Sequence, residues 1–280
     1  MKFGDYECFS VPMGSFIFDG GPMFGVVPKI LWQQKIACDE DNLIPMESRS
    51  LLIKGNDQVI LVDTGLGNKL SEKEKKIYQV KEDSININLA LSKQGVTCDD
   101  ITDVIITHLH FDHTGGSTSI IDGKLEPTFS NATYYLQKDQ WEAALKPNIR
   151  DASSYIQENF MPLKESKVLK LLEGPHTLYK NIEIIVTQGH TPGQQHVLVK
   201  GKTRSLFFCA DLIPTSAHLP ISWHMAYDID PLAVMQEKET FLKRALKENW
   251  ILFFEHDPFI AAASVKKDNK NHIIDRIFSI

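Results

Sequence analysis

The run His108-Leu109-His110-Phe111-Asp112-His113 places three imidazoles and one carboxylate within six residues. These are ligand types for divalent transition metals. The run directly follows an apolar stretch, residues 104–106 (Val104, Ile105, Ile106), that reads as a short buried strand. In extended chain, side chains at i and i+2 point to the same side, so His108 and His110 can reach one ion together, and Asp112 shares their parity. His113 must turn away, and Thr114-Gly115-Gly116 permits the sharp turn that lets it. The pattern therefore predicts two adjacent metal positions.

Three more residues extend the set. His190 stands in Gln188-Gly189-His190-Thr191-Pro192-Gly193, Asp211 ends the apolar stretch 206–210, and His256 follows the stretch 250–254. Each falls at the C-terminal end of a predicted strand, where sheet ends form ligand crevices in α/β folds. Alone, a histidine of this kind is more often a satisfied structural residue, and a strand-end aspartate more often a cap. Repetition at four strand ends favours metal binding.

The elements that must position these residues are legible from patterning. Residues 1–48 are rich in glycine and proline (Gly14, Gly20-Gly21-Pro22, Gly25, Pro28, Pro45) and read as an irregular N-terminal arm. Residues 50–54 and 58–63 form a predicted hairpin across Gly55-Asn56-Asp57, ending in Asp63-Thr64-Gly65. Ser71-Glu72-Lys73-Glu74 is a capping box. Helices are expected over 85–94, 139–145, in part over 147–167, and over 231–249, the last with proline in its first turn. Further strands are expected over 103–107, 133–137, 182–187, 196–199, 206–209, 250–254 and 273–278. Strands and helices alternate in both halves without a linker. The expectation is one α/β (α+β) layered domain over 1–280, its sheets covered by helices.

Composition narrows the function classes. The chain has 280 residues, 42% hydrophobic and 24% charged, enough for a substantial core. Its net charge of −6 argues against a nucleic-acid grip. The basic runs at 73–76 and 266–270 are mixed with acids and amides and read as solvated surface. The four cysteines, Cys8, Cys38, Cys98 and Cys209, have no zinc-ribbon or disulfide-framework spacing, which fits a reducing, cytoplasmic home. Cys209 reads as a small buried hydrophobe. No leader and no membrane span are expected.

The segments HLHFDHTGG, GHTPG, AD and FEH, with the Asp63-Thr64-Gly65 turn, resemble the metallo-β-lactamase superfamily across residues 48–280. That resemblance implies a four-layer αββα sandwich. It also implies that His108, His110 and His190 hold one metal, that Asp112, His113 and His256 hold a second, and that Asp211 bridges them. Asp63 would orient ligands from behind. All donors are imidazole or carboxylate, which suits two zinc ions by default and equally iron, manganese or cobalt. Two such ions lower the pKa of a bridging water and make a hydroxide nucleophile. Asp112 is the expected catalytic residue, carrying the proton to the leaving group.

Among branches, the resemblance is greatest to quorum-quenching lactonases, which hydrolyse N-acyl homoserine lactones. It lies in residues 20–29, in Ala210-Asp211-Leu212-Ile213-Pro214-Thr215 and in Trp223-His224-Met225-Ala226-Tyr227-Asp228. Broader ester or phosphotriester hydrolases share the scaffold, and a metal- or ligand-binding sensor is the non-enzyme alternative. Some lactonases carry tyrosine three residues after the bridging aspartate, where this chain has Pro214. His218, His224 and Tyr227 are therefore the candidate partners of the substrate carbonyl. Met23, Phe24 and Trp223 are candidates for an acyl-chain pocket. His196 reads as a structural or ligand-supporting histidine, and His176 and His272 as surface residues. The expected partner is a small acylated lactone, with no nucleic acid and no membrane, and a homodimer is expected through the N-terminal arm.

Overall fold

In this computed structural model, residues 1–269 and 271–280 are described; Lys270, in the second basic run, lies outside the described residues. Seven strands build the first sheet. Its first five, in spatial order, are Lys2–Phe3 (β1), Tyr6–Asp19 (β2), Leu43–Gly55 (β3), Gln58–Val62 (β4) and Asp103–Ile105 (β5). The chain then makes a separate ribbon of Thr118–Ile121 (β6) and Lys124–Pro127 (β7). It returns as Thr133–Gln137 (β8) and Leu169–Leu172 (β9), both parallel to their neighbours. The second sheet runs in sequence order: His176–Tyr179 (β10), Ile182–Thr187 (β11), Gln194–Val199 (β12), Ser205–Phe208 (β13), Trp250–Phe253 (β14), Ala262–Asp268 (β15) and Asn271–Phe278 (β16).

Alternation along the central strands sorts the apolar side chains into layers. Ile60, Val62 and Ile105 join Ile184, Val197, Phe208 and Phe253 in a core between the sheets. Leu61, Val104 and Ile106 face outward onto Leu91, Trp141, Phe160 and Leu163. On the opposite outer face, Val234, Phe241, Leu242 and Ala245 of the helix Pro231–Glu248 cover Phe207, Trp250 and Leu252. The order is helix, sheet, sheet, helix. Each fully buried Leu, Ile or Phe contributes roughly 1.5–3 kcal/mol, so both faces of each sheet are strongly specified.

The N-terminal segment departs from expectation. Residues 1–48 are not an irregular arm: they form β1, β2 and the start of β3, with two short helices and turns over residues 20–42 between them. Tyr6, Cys8, Val11, Met13 and Phe16 are buried, but a register shift between Pro12 and Gly14 breaks the period that would have revealed the strand. Gly20-Gly21-Pro22 opens a short helix, Gly20–Phe24, with the Asp19 carboxylate accepting from the Gly21 amide. His272 is also buried rather than at the surface. The Ser71–Glu74 capping box is present, and Cys209 is fully buried.

Among the described residues, no helix is long and apolar enough to cross a membrane.

Candidate metal centre

The β4–β5 and β13–β14 pairs are parallel, and their C-terminal ends carry much of the site. Asp63 follows β4, His108 and His110 follow β5, Asp211 follows β13 and His256 follows β14; His190 follows β11. Two of these ends hold a left-handed residue, Asp63 at φ 57° and Ala210 at φ 42°. Non-glycine residues adopt this region at a cost, and such strain collects at functional sites.

Asp112 and His113 do not continue the extended parity of His108 and His110. They lie on one helical turn, Phe111–Thr114, where successive side chains diverge by roughly 100°. The reason for Thr114-Gly115-Gly116 also differs from a sharp turn. Gly115 has an ordinary right-handed conformation, but a Cβ there would lie 1.8 Å from the Leu66 carbonyl oxygen. The glycines let this turn pack directly onto Asp63-Thr64-Gly65. Thr64 amide donates to the His113 carbonyl at 2.8 Å, and the Thr64 hydroxyl donates to the same oxygen at 3.0 Å.

The donor atoms gather into two adjoining groups, one of His108, His110, His190 and Asp211, the other of Asp112, His113 and His256. Within each group all ligand atoms lie within 4.8 Å of one another. His110 Nδ1 stands 3.1 Å from His108 Nε2 and 3.3 Å from His190 Nε2. His113 Nε2 stands 3.2 Å from His256 Nε2. A tetrahedral ion with nitrogens at about 2.0–2.1 Å sets its ligands about 3.3 Å apart. Asp211 spans the groups: Oδ2 lies 3.2 Å from His190 Nε2 and Oδ1 3.1 Å from His256 Nε2. Its Oδ1 is buried without a hydrogen-bond partner. Converging lone pairs and an orphaned carboxylate oxygen fit two divalent cations.

The electrostatics differ from ring to ring, and His190, like His256 and His113, is raised against its burial, by Asp211 and Asp228. Burial and the neighbouring imidazoles hold His108 and His110 well below the usual histidine value, so both are neutral donors. At His256 burial also opposes charge, but the Asp211 carboxylate outweighs it and lifts the ring to about 9. His113 is lifted too, with Glu255, Asp112 and Asp211 overcoming its burial.

Three of the five imidazoles are held from behind by an acceptor. His190 Nδ1 donates to Asp228 Oδ1 at 2.8 Å, His113 Nδ1 to Asp63 Oδ2 at 3.0 Å, and His256 Nδ1 to the Glu47 carbonyl at 2.9 Å. Arg49 Nη1 donates to the carbonyls of Phe254 and Asp257 at 3.1 and 2.8 Å, pinning the loop that carries His256. Glu47 and Arg49 both belong to β3. The segment whose start was read as an arm thus supports the centre.

Residues 43–256 match a known family, the Metallo-beta-lactamase superfamily. The chain belongs to the metallo-beta-lactamase superfamily. It is accordingly a metal-dependent hydrolase. It is 25% identical over 217 residues to N-acyl homoserine lactonase AiiA of Bacillus thuringiensis subsp. kurstaki, covering 74% of this chain and 79% of that protein. A probable metal-dependent hydrolase from Staphylococcus aureus superposes with TM-score 0.89 at 31% identity, covering 99% of this chain and 100% of that one. AidC, a dizinc quorum-quenching lactonase with bound product, superposes with TM-score 0.82 at 23% identity, covering 100% and 97%. This last likeness is one of fold.

In this metallo-beta-lactamase chain the centre opens into a cavity of about 260 Å³. Its wall includes Met23 and Tyr227 of the candidate substrate residues, with Phe18, Met46, Tyr78, Phe111 and Arg150, which the sequence reading missed. Phe24, His218, Trp223 and His224 do not line it. Phe24 stacks between Trp32 and His218, with ring centroids 5.2 and 4.6 Å away, and Trp223 meets its edge at 5.7 Å. Both His218 nitrogens are spent: Nε2 donates to the Met23 carbonyl at 2.8 Å, and Nδ1 accepts from the Thr215 hydroxyl at 2.8 Å. His224 Nδ1 is turned to the Met225 carbonyl at 3.0 Å. His196 packs against Phe207 and bonds Thr187 at 2.9 Å, with no contact to a donor of the centre. Glu255 and Asp228 were also missed. Each lay inside a quoted motif, and Glu255 directly precedes His256, which was the available signal.

Proposed function

We propose that this hydrolase opens the ring of N-acyl homoserine lactones, with two zinc ions held by the seven residues above. The observation that carries the reading is the cavity itself. One side is the cluster of donors and the other is an aromatic wall. Tyr78 lies 5.3 Å from Phe18 and 5.2 Å from Phe111, and Phe18 lies 6.2 Å from Tyr227, all between ring centroids. An acyl chain suits that wall, and a lactone ester suits the donors. Arg150 is the sole lysine or arginine among the lining residues, which supports a neutral acylated substrate over a polyanion. The names of the Bacillus relatives point to the same substrate class.

Bound metals would supply an activated water near neutral pH and polarise the acyl oxygen. The chain's own residues do the rest. Asp112 lines the cavity, with its two oxygens 3.8 Å from His113 Nε2 and from His256 Nε2. From there it takes the proton of the attacking water and returns it to the ring oxygen as the ester C–O bond breaks. Burial, with Asp112 and Tyr78, raises the Tyr227 phenol, so it stays protonated at neutral pH. Tyr227 donates to the acyl carbonyl oxygen in place of the tyrosine absent at Pro214. The product is an N-acyl homoserine carboxylate plus one proton.

A cytoplasmic location and a homodimer belong to the same proposal. The exposed apolar Val26, Ile30 and Leu31 support self-association, and a monomer mass by light scattering at working concentration would count against it.

The experiment compares hexanoyl and decanoyl homoserine lactones with a phosphotriester and an aryl ester on metal-quantified protein. Lactone turnover that exceeds the other two supports the proposal. A fully metal-loaded protein that prefers the phosphotriester or aryl ester overturns it, and so does one that turns over none of the four.

A further inference from the structure

The structure holds a second buried carboxylate on His113 beyond the one its motif supplies. Glu255 is fully buried, and its Oε2 lies 3.1 Å from His113 Nδ1. Asp63 Oδ2 lies 3.0 Å from the same nitrogen. Asp63 is otherwise well served, accepting from the Thr107 amide at 2.7 Å and the Thr107 hydroxyl at 2.6 Å. Glu255 is not: both its carboxylate oxygens are buried without a hydrogen-bond partner. Arg49, close by, spends its Nη1 on backbone carbonyls of Phe254, Glu255 and Asp257 rather than on that carboxylate.

A buried carboxylate without partners is costly. Its nearest donor is the outward nitrogen of a ring whose inner nitrogen, Nε2, faces His256 and Asp211. A carboxylate on the far nitrogen of a ligand imidazole fixes its tautomer and raises its basicity. A second carboxyl oxygen at 3.1 Å, beside that of Asp63, gives the same nitrogen a further acceptor and fixes the ring from two sides.

We propose that Glu255 is a positioning residue for the metal position of Asp112, His113 and His256, acting with Asp63 through His113 to hold that ion. Replacing its carboxyl group with an amide of the same shape weakens that ion and leaves the ion of His108, His110 and His190 in place. The inference rests on the two-metal reading of the site.

The test is a stepwise chelator titration of zinc-loaded wild type and E255Q, with metal content read by elemental analysis and folding by circular dichroism. In E255Q one of the two equivalents is expected to leave at about 10- to 100-fold lower chelator strength, the other unchanged. Two equivalents held as tightly as in wild type overturn the role of Glu255, since a packing role would survive this isosteric change. Wild type that binds fewer than two equivalents overturns the two-metal reading instead. Should E255Q fail to fold, E255D, which withdraws the carboxylate from His113, replaces it. The same selective loss supports the proposal, and unchanged binding overturns it.

Discussion

Asp211 Oδ1 lies 3.1 Å from Nε2 of His256, while the other oxygen of the same carboxylate is turned toward His190. A carboxylate split this way would serve two ions, and Ala210 holds the left-handed backbone beside it. D211A is therefore expected to lower metal content by at least one equivalent and activity by more than about 10²-fold. Elemental analysis of the purified variant checks this; two retained equivalents with full activity would contradict it.

Asp112 is argued to move the proton between water and leaving oxygen. General acid–base groups contribute about 10²–10⁴-fold, so D112N should lose kcat in that range. A variant that binds both metals and keeps the wild-type rate would remove Asp112 from the chemistry.

Asp228 sets the tautomer of His190 from 2.8 Å. D228N offers that nitrogen an amide instead, and metal affinity or activity should fall about 10- to 100-fold. Metal competition assays at fixed pH measure it, and unchanged affinity would show that His190 is oriented by its loop alone.

His218 gives a stability signature independent of any metal. Burial pushes it down to about 3, below an unfolded value near 6.5. Between those values the unfolded chain binds a proton that the folded chain refuses, so stability falls as pH drops from 6.5 toward 3. Above 6.5 this group contributes no slope. Each pH unit inside the window costs about 1.4 kcal/mol. His196, pushed down to about 4 by burial, adds a parallel loss over its own window. Urea unfolding at several pH values should give H218Q a shallower acid slope than wild type, by about one proton; equal slopes would refute the assignment.

The seven donors were legible because imidazole and carboxylate at strand ends form a rare pattern whose spacing carries geometry. The supporting residues were not. Asp228 and Glu255 reach His190 and His113 from loops distant in sequence, and no local period marks a carboxylate that will face a ring. The layered core followed from continuous apolar runs in β4, β5, β13 and β14, where both faces are buried. In β2 the shift at Pro12–Gly14 and the glycine-rich helix start concealed a long strand. His218 and Phe24 looked like substrate contacts because their types suit that role. Their stacking, a property of packing alone, turned them into support beneath Met23.

The most direct test is hydrolysis of hexanoyl homoserine lactone followed by pH-stat on protein of known metal content, before chelation, after it, and after metal is restored. The account predicts turnover with about two equivalents bound, its loss on chelation and its return with added zinc. Lactone opening that persists after complete metal removal, or none with both positions filled, would contradict it.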